Sequence, residues 1–359
     1  MPNAIDWAVA ERVAVRFGGR EPFAASYHYD SLPSDFDRLT ATAQELVEAH
    51  TGWRSQDGAA RARVVDRADW VRANIASFRR MLRPLTERLE ERMVPGPAAM
   101  ATAAVAGAEM GAVLGWMSTR VLGQYDLLVL EDEDVDDQDL VYYVGPNILS
   151  LEKRFGFPPQ EFRLWVALHE VTHRTQFTGK PWLRQYFLDQ VQSLLSMADP
   201  DPARLFAAIG RVAEAVRTRR NPLDDGGVVT LFASSEQRAA MDRVGGLMSL
   251  LEGHGDVTMD RAGGDAVPSA ERFGRVLRQR RSNASAPAKL LQKLIGIEAK
   301  LAQYEQGERF IARVEAVGGS ELLERAFAGP EQLPSLGEIR EPDRWLDRMG
   351  VPTVVAAGS

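Results

Sequence analysis

The sequence predicts a mainly α-helical fold with a small β-sheet, which is an α+β class. Apolar residues recur every three or four positions over most of the 359 residues, and this is the period of an amphipathic helix. Residues 126–130 and 140–144 are instead short apolar runs with the composition of strands. With 359 residues, of which 45% are hydrophobic, the chain is long and apolar enough to bury the core of one large domain or of two modest ones.

The composition excludes several classes of function. The formal net charge is −7, so we expect no nucleic-acid partner. The chain has no cysteine, which excludes disulfides, a thiolate metal site and a cysteine nucleophile. The first 19 residues do not have the pattern of a signal peptide, and we expect a cytoplasmic protein with no membrane partner.

The N-terminal third reads as a series of helices. Their expected ranges are 4–17, 36–50, 68–92 and 98–123. In the last of these, Gly107, Gly111 and Gly115 recur every fourth residue, a spacing also found in membrane helix pairs. Glu109 and Arg120 argue against a membrane helix. We therefore expect a buried helix whose small residues let a neighbouring backbone come close.

The strand-like runs flank an acidic stretch in the middle of the chain. Residues 126–130 and 140–144 are predicted to be strands, and residues 131–139 between them are predicted to be a solvated loop. Gly145 and Pro146 end the second strand, which leads towards the next helix.

The rest of the chain is predicted to be helical. Its expected helices span 159–177, 182–197, 203–220, 236–259, the first part of 261–289, and 290–317. Arginines at 272, 275, 278, 280 and 281 form a basic segment that we read as a solvated face, with binding of an anionic substrate as the alternative. In the C-terminal tail, Pro342 and Trp345 are the expected anchors.

The predicted helix 159–177 contains the sequence His169-Glu170-Val171-Thr172-His173. Residues four apart on a helix lie on one face, separated by about 40° at ~100° per residue. His169 and His173 can therefore bind one metal ion. Glu170 is offset by one residue and can reach a water at that metal without acting as a ligand. Zinc in catalytic sites takes three protein ligands, histidines among them, and keeps a fourth position open.

A third ligand is predicted on the helix 236–259. Glu252 and Asp256 share one face of that helix with Met and Gly residues, which argues against a solvated polar face. Glu252 is the expected third ligand, and Asp256 is expected to orient one of the imidazoles. His254 is the rival ligand, but it lies about 160° away from Glu252 around a regular helix.

This combination resembles the glutamate-type zincin metallopeptidases, in which HExxH is followed by a later Glu-x-x-x-Asp. The segments HEVTHRTQF and SLLEGHGDVTMDRAG, which begin at His169 and Ser249, more closely resemble a bacterial family of zincin-like hydrolases associated with coenzyme F-420 biosynthesis. The resemblance covers nearly the whole chain. It implies a zincin-like metallopeptidase core elaborated by extra helices and a metal-dependent hydrolase, and it leaves the substrate open.

We therefore expect one zincin-like unit over residues 1–359. It would comprise an N-terminal helical scaffold (1–95), a metal-site core (96–260) and a C-terminal helical region (261–359). The expected cofactor is Zn²⁺ on His169, His173 and Glu252. Zinc lowers the pKa of a bound water towards ~7, and Glu170 would take the proton of that water as the general base.

Two further roles and two alternatives complete the prediction. By analogy with zincins, strand 140–144 would form the edge of the cleft and pair with an extended substrate. Tyr304, on a stretch that resembles the family, could donate a hydrogen bond to an oxyanion. The favoured substrate is a peptide. The alternatives are a zinc amidohydrolase that acts on a small amide or metabolite, and a non-catalytic zinc-stabilised binding protein. Glu170 argues against the last, because a structural site has no use for a general base.

Overall fold

The structure is a computed structural model that describes residues 3–19, 21, 23, 25–127, 139–197, 235–282 and 297–352. The predicted helix 203–220 and nearly all of the predicted acidic loop lie outside these residues. The secondary structure of the described residues confirms the predicted class, because helices dominate and one three-stranded sheet accompanies them.

Fourteen α-helices are present in the described residues. They are α1 (Trp7–Gly18), α2 (Tyr27–Asp30), α3 (Leu32–Thr51), α4 (Arg67–Met81), α5 (Arg83–Arg92), α6 (Pro97–Ser118), α7 (Gly145–Phe155), α8 (Pro159–Gly179), α9 (Pro181–Met197), α10 (Ser235–Gly263), α11 (Ala270–Ser282), α12 (Ile297–Ala326), α13 (Leu336–Arg340) and α14 (Pro342–Arg348). The strands are β1 (Arg61–Val65), β2 (Gly123–Tyr125) and β3 (Leu140–Val144).

The chain divides into two compact units. The first comprises Met1–Arg184 with Gly255–Leu291, and the second comprises Gln185–His254 with Gln292–Ser359. One division falls inside α10, between His254 and Gly255. The expectation of a single zincin-like unit stays a prediction.

The sheet of the first unit has the strand order β1-β3-β2, with β1 parallel and β2 antiparallel to β3. Strand β3 is therefore central, and the expectation that residues 140–144 form a cleft edge is wrong. All five of its residues are buried, as expected for a strand with a neighbour on each side. Strand β2 at Gly123–Tyr125 lies just before the strand predicted at 126–130, of which only residues 126 and 127 are described, and β1 was not predicted.

Helix α6 packs against α1 through its small residues, as predicted. A Cβ placed on Gly107 would lie 2.2 Å from the carbonyl oxygen of Asp6, and one on Gly111 would lie 2.4 Å from that of Ala10. The opposite side is more open, since Met100 and Val105 are exposed. Among the described helices, only α6 is long and apolar enough to cross a membrane, and about a third of it is buried. Length and apolar composition are weak evidence for a membrane span, because the core helix of a soluble protein also meets both criteria.

Helix α8 begins at Pro159, which suits the first turn because proline has no N–H to satisfy there. Its N-terminal half is held by the buried guanidinium of Arg163, whose Nε lies 2.8 Å from Glu152 Oε1 and which also pairs with Asp35. Burial raises the pKa of the Glu152 carboxyl, and the bonds from Arg163 oppose that rise. In the C-terminal half, the buried Arg174 donates to Asp139 at 3.0 Å, beside the start of β3. These pairs fix α8 against α3, α7 and the sheet.

In the second unit, α10 and α12 come close to each other at two glycines. A Cβ on Gly253 would lie 2.4 Å from the backbone carbon of Gly307, so both positions require glycine. Helix α12 is interrupted at Gly318 and Gly319, close to the predicted end of that helix. Trp345 is fully buried and donates from Nε1 to the Gln332 carbonyl at 2.8 Å, which confirms its predicted role as an anchor.

Candidate metal centre

The two histidines of α8 lie side by side on one face of the helix. The ring centroids of His169 and His173 are 4.7 Å apart, and the ring planes are nearly perpendicular at 88°. Both side chains are only partly buried, whereas the neighbouring Leu168, Val171 and Thr172 are buried in the core. The regular helix thus directs both imidazoles towards the same region, as their spacing predicts.

Glu252 completes a group of three potential metal ligands with these histidines. One ligand atom from each of His169, His173 and Glu252 lies within 4.8 Å of the other two. Ligand atoms of one tetrahedral zinc ion, at 2.0–2.2 Å from the metal, lie roughly 3.3–3.6 Å apart. The donor set therefore fits zinc by the kinds of atom that it offers. Two imidazoles and one carboxylate are also the donor types of catalytic zinc sites.

His254, the rival ligand, is not in this group. It is buried and packs edge-to-face on Phe327, with ring centroids 5.1 Å apart. Helix α10 is continuous from Ser235 to Gly263, so residues two apart on it face in nearly opposite directions. The regular helix therefore separates His254 from the side of α10 that includes Glu252.

Asp256 lies one turn after Glu252 and faces His169. Its Oδ1 is 3.9 Å from His169 Nδ1, which is longer than a hydrogen bond. About a quarter of each side chain is exposed. The carboxylate is therefore placed to interact electrostatically with the Nδ1 edge of His169.

Glu170 lies directly against the sheet. A Cβ on Gly123 of β2 would lie 2.6 Å from Glu170 Cγ and 2.8 Å from its Oε1, so this contact requires glycine. Gly123 is the register partner of Tyr143 on β3. Burial raises the pKa of Tyr143, and the negative charge of Glu170 adds to that rise, while the hydrogen bond between the Tyr143 and Thr40 hydroxyls opposes it. Glu170 is thus a buried carboxylate on the sheet side of α8.

Three residues near the site were missed in the sequence. Gln176 is fully buried, and its Oε1 lies 2.9 Å from His173 Nδ1. Gly255 leaves room for the same imidazole, since a Cβ there would lie 3.2 Å from His173 Cε1. Gly123 leaves room for Glu170. The i, i+3 spacing from His173 indicates Gln176, whereas the glycine contacts depend on how distant segments pack.

Two other expected features have different outcomes. Tyr304 belongs to α12, but its side chain is outside those described, so its role stays a prediction. In the basic segment, Arg272 donates at 2.7 Å to the carbonyl of Phe155, at the C-terminus of α7, and Arg275 pairs with the exposed Glu271 at 3.3 Å. These contacts favour the expected solvated face for that part of the segment.

Fold and site together define an α+β protein in which the HExxH histidines and Glu252 of α10 form a potential His-His-Glu metal site. The zincin-like metallopeptidase family matches residues 5–346, and the chain belongs to this family of metallohydrolases. The crystal structure of "a putative hydrolase with a novel fold" from Chloroflexus aurantiacus is similar, with 30% sequence identity and a TM-score of 0.69. The similarity covers 97% of this chain and 100% of that one. No curated protein matched the sequence.

Proposed function

We propose that the protein is a zinc-dependent hydrolase that cleaves peptide bonds, with Glu170 as the general base. The observation that supports this most is the buried Glu170 carboxylate beside the ligand pair and outside the ligand group. A site that only stabilised the fold would need the three ligands and would have no need for this carboxylate. The family supports the choice of a peptide substrate.

His169, His173 and Glu252 would hold the zinc ion. When bound, zinc supplies Lewis acidity, which polarises a carbonyl and makes water more acidic. Glu170 accepts the proton of the attacking water and passes it to the nitrogen of the leaving amine. The carboxylate lies against Gly123 of β2, where a side chain in place of the glycine would meet its Cγ and Oε1.

Strand β2 replaces β3 as the proposed docking strand for an extended substrate. In the described sheet, β2 is an edge strand, and its Gly123 touches Glu170. An extended peptide gains affinity when its backbone forms hydrogen bonds with the unpaired backbone groups of an edge strand. The backbone groups of a central strand are already paired with its neighbours. The proposal therefore places the scissile bond near the edge of the sheet that lies against the base.

The test compares wild type with Glu170→Gln, which keeps the size of the side chain but cannot accept the proton. Zinc-loaded proteins would be screened against a peptide library by mass spectrometry. For any substrate found, turnover by Glu170→Gln should fall by about 10²–10⁴-fold, while its zinc content stays equal to wild type. Glu161→Gln removes a carboxylate at the other end of α8, where Glu161 accepts a bond from the Ser269 amide, and should cleave like wild type.

Equal cleavage by wild type and Glu170→Gln would exclude Glu170 as the base. Cleavage of small amides but not of peptides would favour the amidohydrolase alternative. Zinc binding without hydrolysis in a broad screen would favour a binding protein. The link to coenzyme F-420 and the cytoplasmic location stay predictions.

A further inference from the structure

The imidazole of His173 is held from both sides within the first unit. On one side, Gln176 lies one turn further along α8, with its Oε1 2.9 Å from Nδ1. On the other side, Gly255 of α10 faces the Cε1–Nε2 edge of the ring, where a Cβ would lie 3.2 Å from Cε1 and 3.6 Å from Nε2. The Nδ1 atom therefore faces its own helix, and Nε2 faces α10.

The chemistry of the amide decides which ring nitrogen has the hydrogen. The oxygen of Gln176 only accepts hydrogen bonds, so the contact requires a hydrogen on Nδ1 of a neutral imidazole. The lone pair is then on Nε2, the atom that faces α10. Because Gln176 is fully buried, water competes little for this bond.

The two histidines differ in the group that lies near Nδ1. His169 has the Asp256 carboxylate 3.9 Å from its Nδ1, beyond hydrogen-bond distance. His173 has a formed hydrogen bond to a neutral amide on its own helix. The hydrogen bond at Nδ1 of His173 is therefore made within α8, whereas the carboxylate near Nδ1 of His169 is on α10.

We propose that Gln176 is a positioning residue of the metal site. It holds His173 in the Nδ1–H form, with Nε2 ready to bind a metal, before any metal arrives. This inference rests on the proposed function only in assigning zinc as the metal. Partners of this kind fix the tautomer and orientation of ligating histidines, and their loss weakens metal binding by about 10–100-fold.

The first experiment measures zinc affinity of the full-length protein by competition with a chelator. Gln176→Met keeps the length of the side chain but removes the acceptor, and it should weaken zinc binding about 10–100-fold. Gln176→Glu keeps an acceptor at the same position and should restore most of the affinity. Thr178→Val is the matched control, because the buried Thr178 hydroxyl bonds to the Arg174 carbonyl on the same helix, 2.8 Å away. Its zinc affinity should not change.

The second experiment reads the tautomer directly in the zinc-free protein. Selective ¹⁵N labelling of the five histidines gives one pair of ring signals for each. Wild-type His173 should be in the Nδ1–H form, and Gln176→Met should shift it towards Nε2–H, while Gln176→Glu should not. If Gln176→Met does not fold, the wild-type spectrum and Gln176→Glu still decide the tautomer.

An Nε2–H form of His173 in wild type, or wild-type zinc affinity in Gln176→Met, would overturn the proposal. The tautomer measurement also separates this inference from the proposed function. If wild type bound no zinc but His173 had the Nδ1–H form and Gln176→Met lost it, the zinc hydrolase would fail and the positioning role would stand.

Discussion

Helices α8 and α10 each present two polar residues four positions apart, but the two pairs do different things. On α8, His169 and His173 are both candidate ligands. On α10, Glu252 is a candidate ligand, whereas Asp256 lies 3.9 Å from the ring of His169. The same helical spacing therefore gives two ligands in one helix and a ligand with an electrostatic partner in the other.

The surroundings of the two helices explain the difference. On α8, His173 has a partner in its own helix, since Gln176 contacts it three residues later. On α10, glycines allow other segments to come close: Gly253 meets α12, and Gly255 meets His173. A residue of α8 therefore bonds to a histidine of the same helix, whereas the role of each α10 residue depends on what packs against it.

The largest expected effect tests whether both helices provide ligands. His173→Ala and Glu252→Ala should each lower the zinc content and affinity by more than the about 10–100-fold loss typical of residues that only orient a ligand. His254→Ala is the control on α10, and it should keep zinc although it loses the buried contact with Phe327. Metal analysis and chelator competition measure the result. Zinc loss in His254→Ala but not in Glu252→Ala would reverse the assignment.

An intermediate effect is expected for Asp256→Asn, which removes the charge near His169 but keeps the size of the side chain. Zinc affinity should fall about 10-fold, at the lower end for such partners, because the 3.9 Å separation is not a formed hydrogen bond. Asp260→Asn, one turn further along α10, should leave zinc affinity unchanged. A loss as large as that of Glu252→Ala would mean that Asp256 is itself a ligand.

The smallest effect on zinc is expected for the two glycines of α10. Gly255→Ala should displace the His173 ring by a few tenths of an ångström and cost about 0.5–1.5 kcal/mol, or roughly 2–10-fold in zinc affinity. Gly253→Ala should instead lower the free energy of unfolding by about 1–3 kcal/mol, because its Cβ meets the backbone of α12. Thermal unfolding and chelator competition measure both quantities. The comparison fails if Gly253→Ala is as stable as wild type or if Gly255→Ala binds zinc more tightly.

Several sequence predictions concern partners and location and stay predictions. They include the cytoplasmic location, the absence of nucleic-acid and membrane partners, and the association with coenzyme F-420. The catalytic role of Tyr304 also stays a prediction.

The sequence by itself determined the helical class of the fold and the ligand face of α8, because helix periodicity is a local property of the chain. It also indicated Glu252 over His254, by angle around one regular helix. Only the tertiary structure decided that β3 is central, that β2 touches Glu170, and that Gly255 borders His173. These facts depend on which distant segments pack together, and no local pattern of residues encodes the partner of a strand edge or of a glycine.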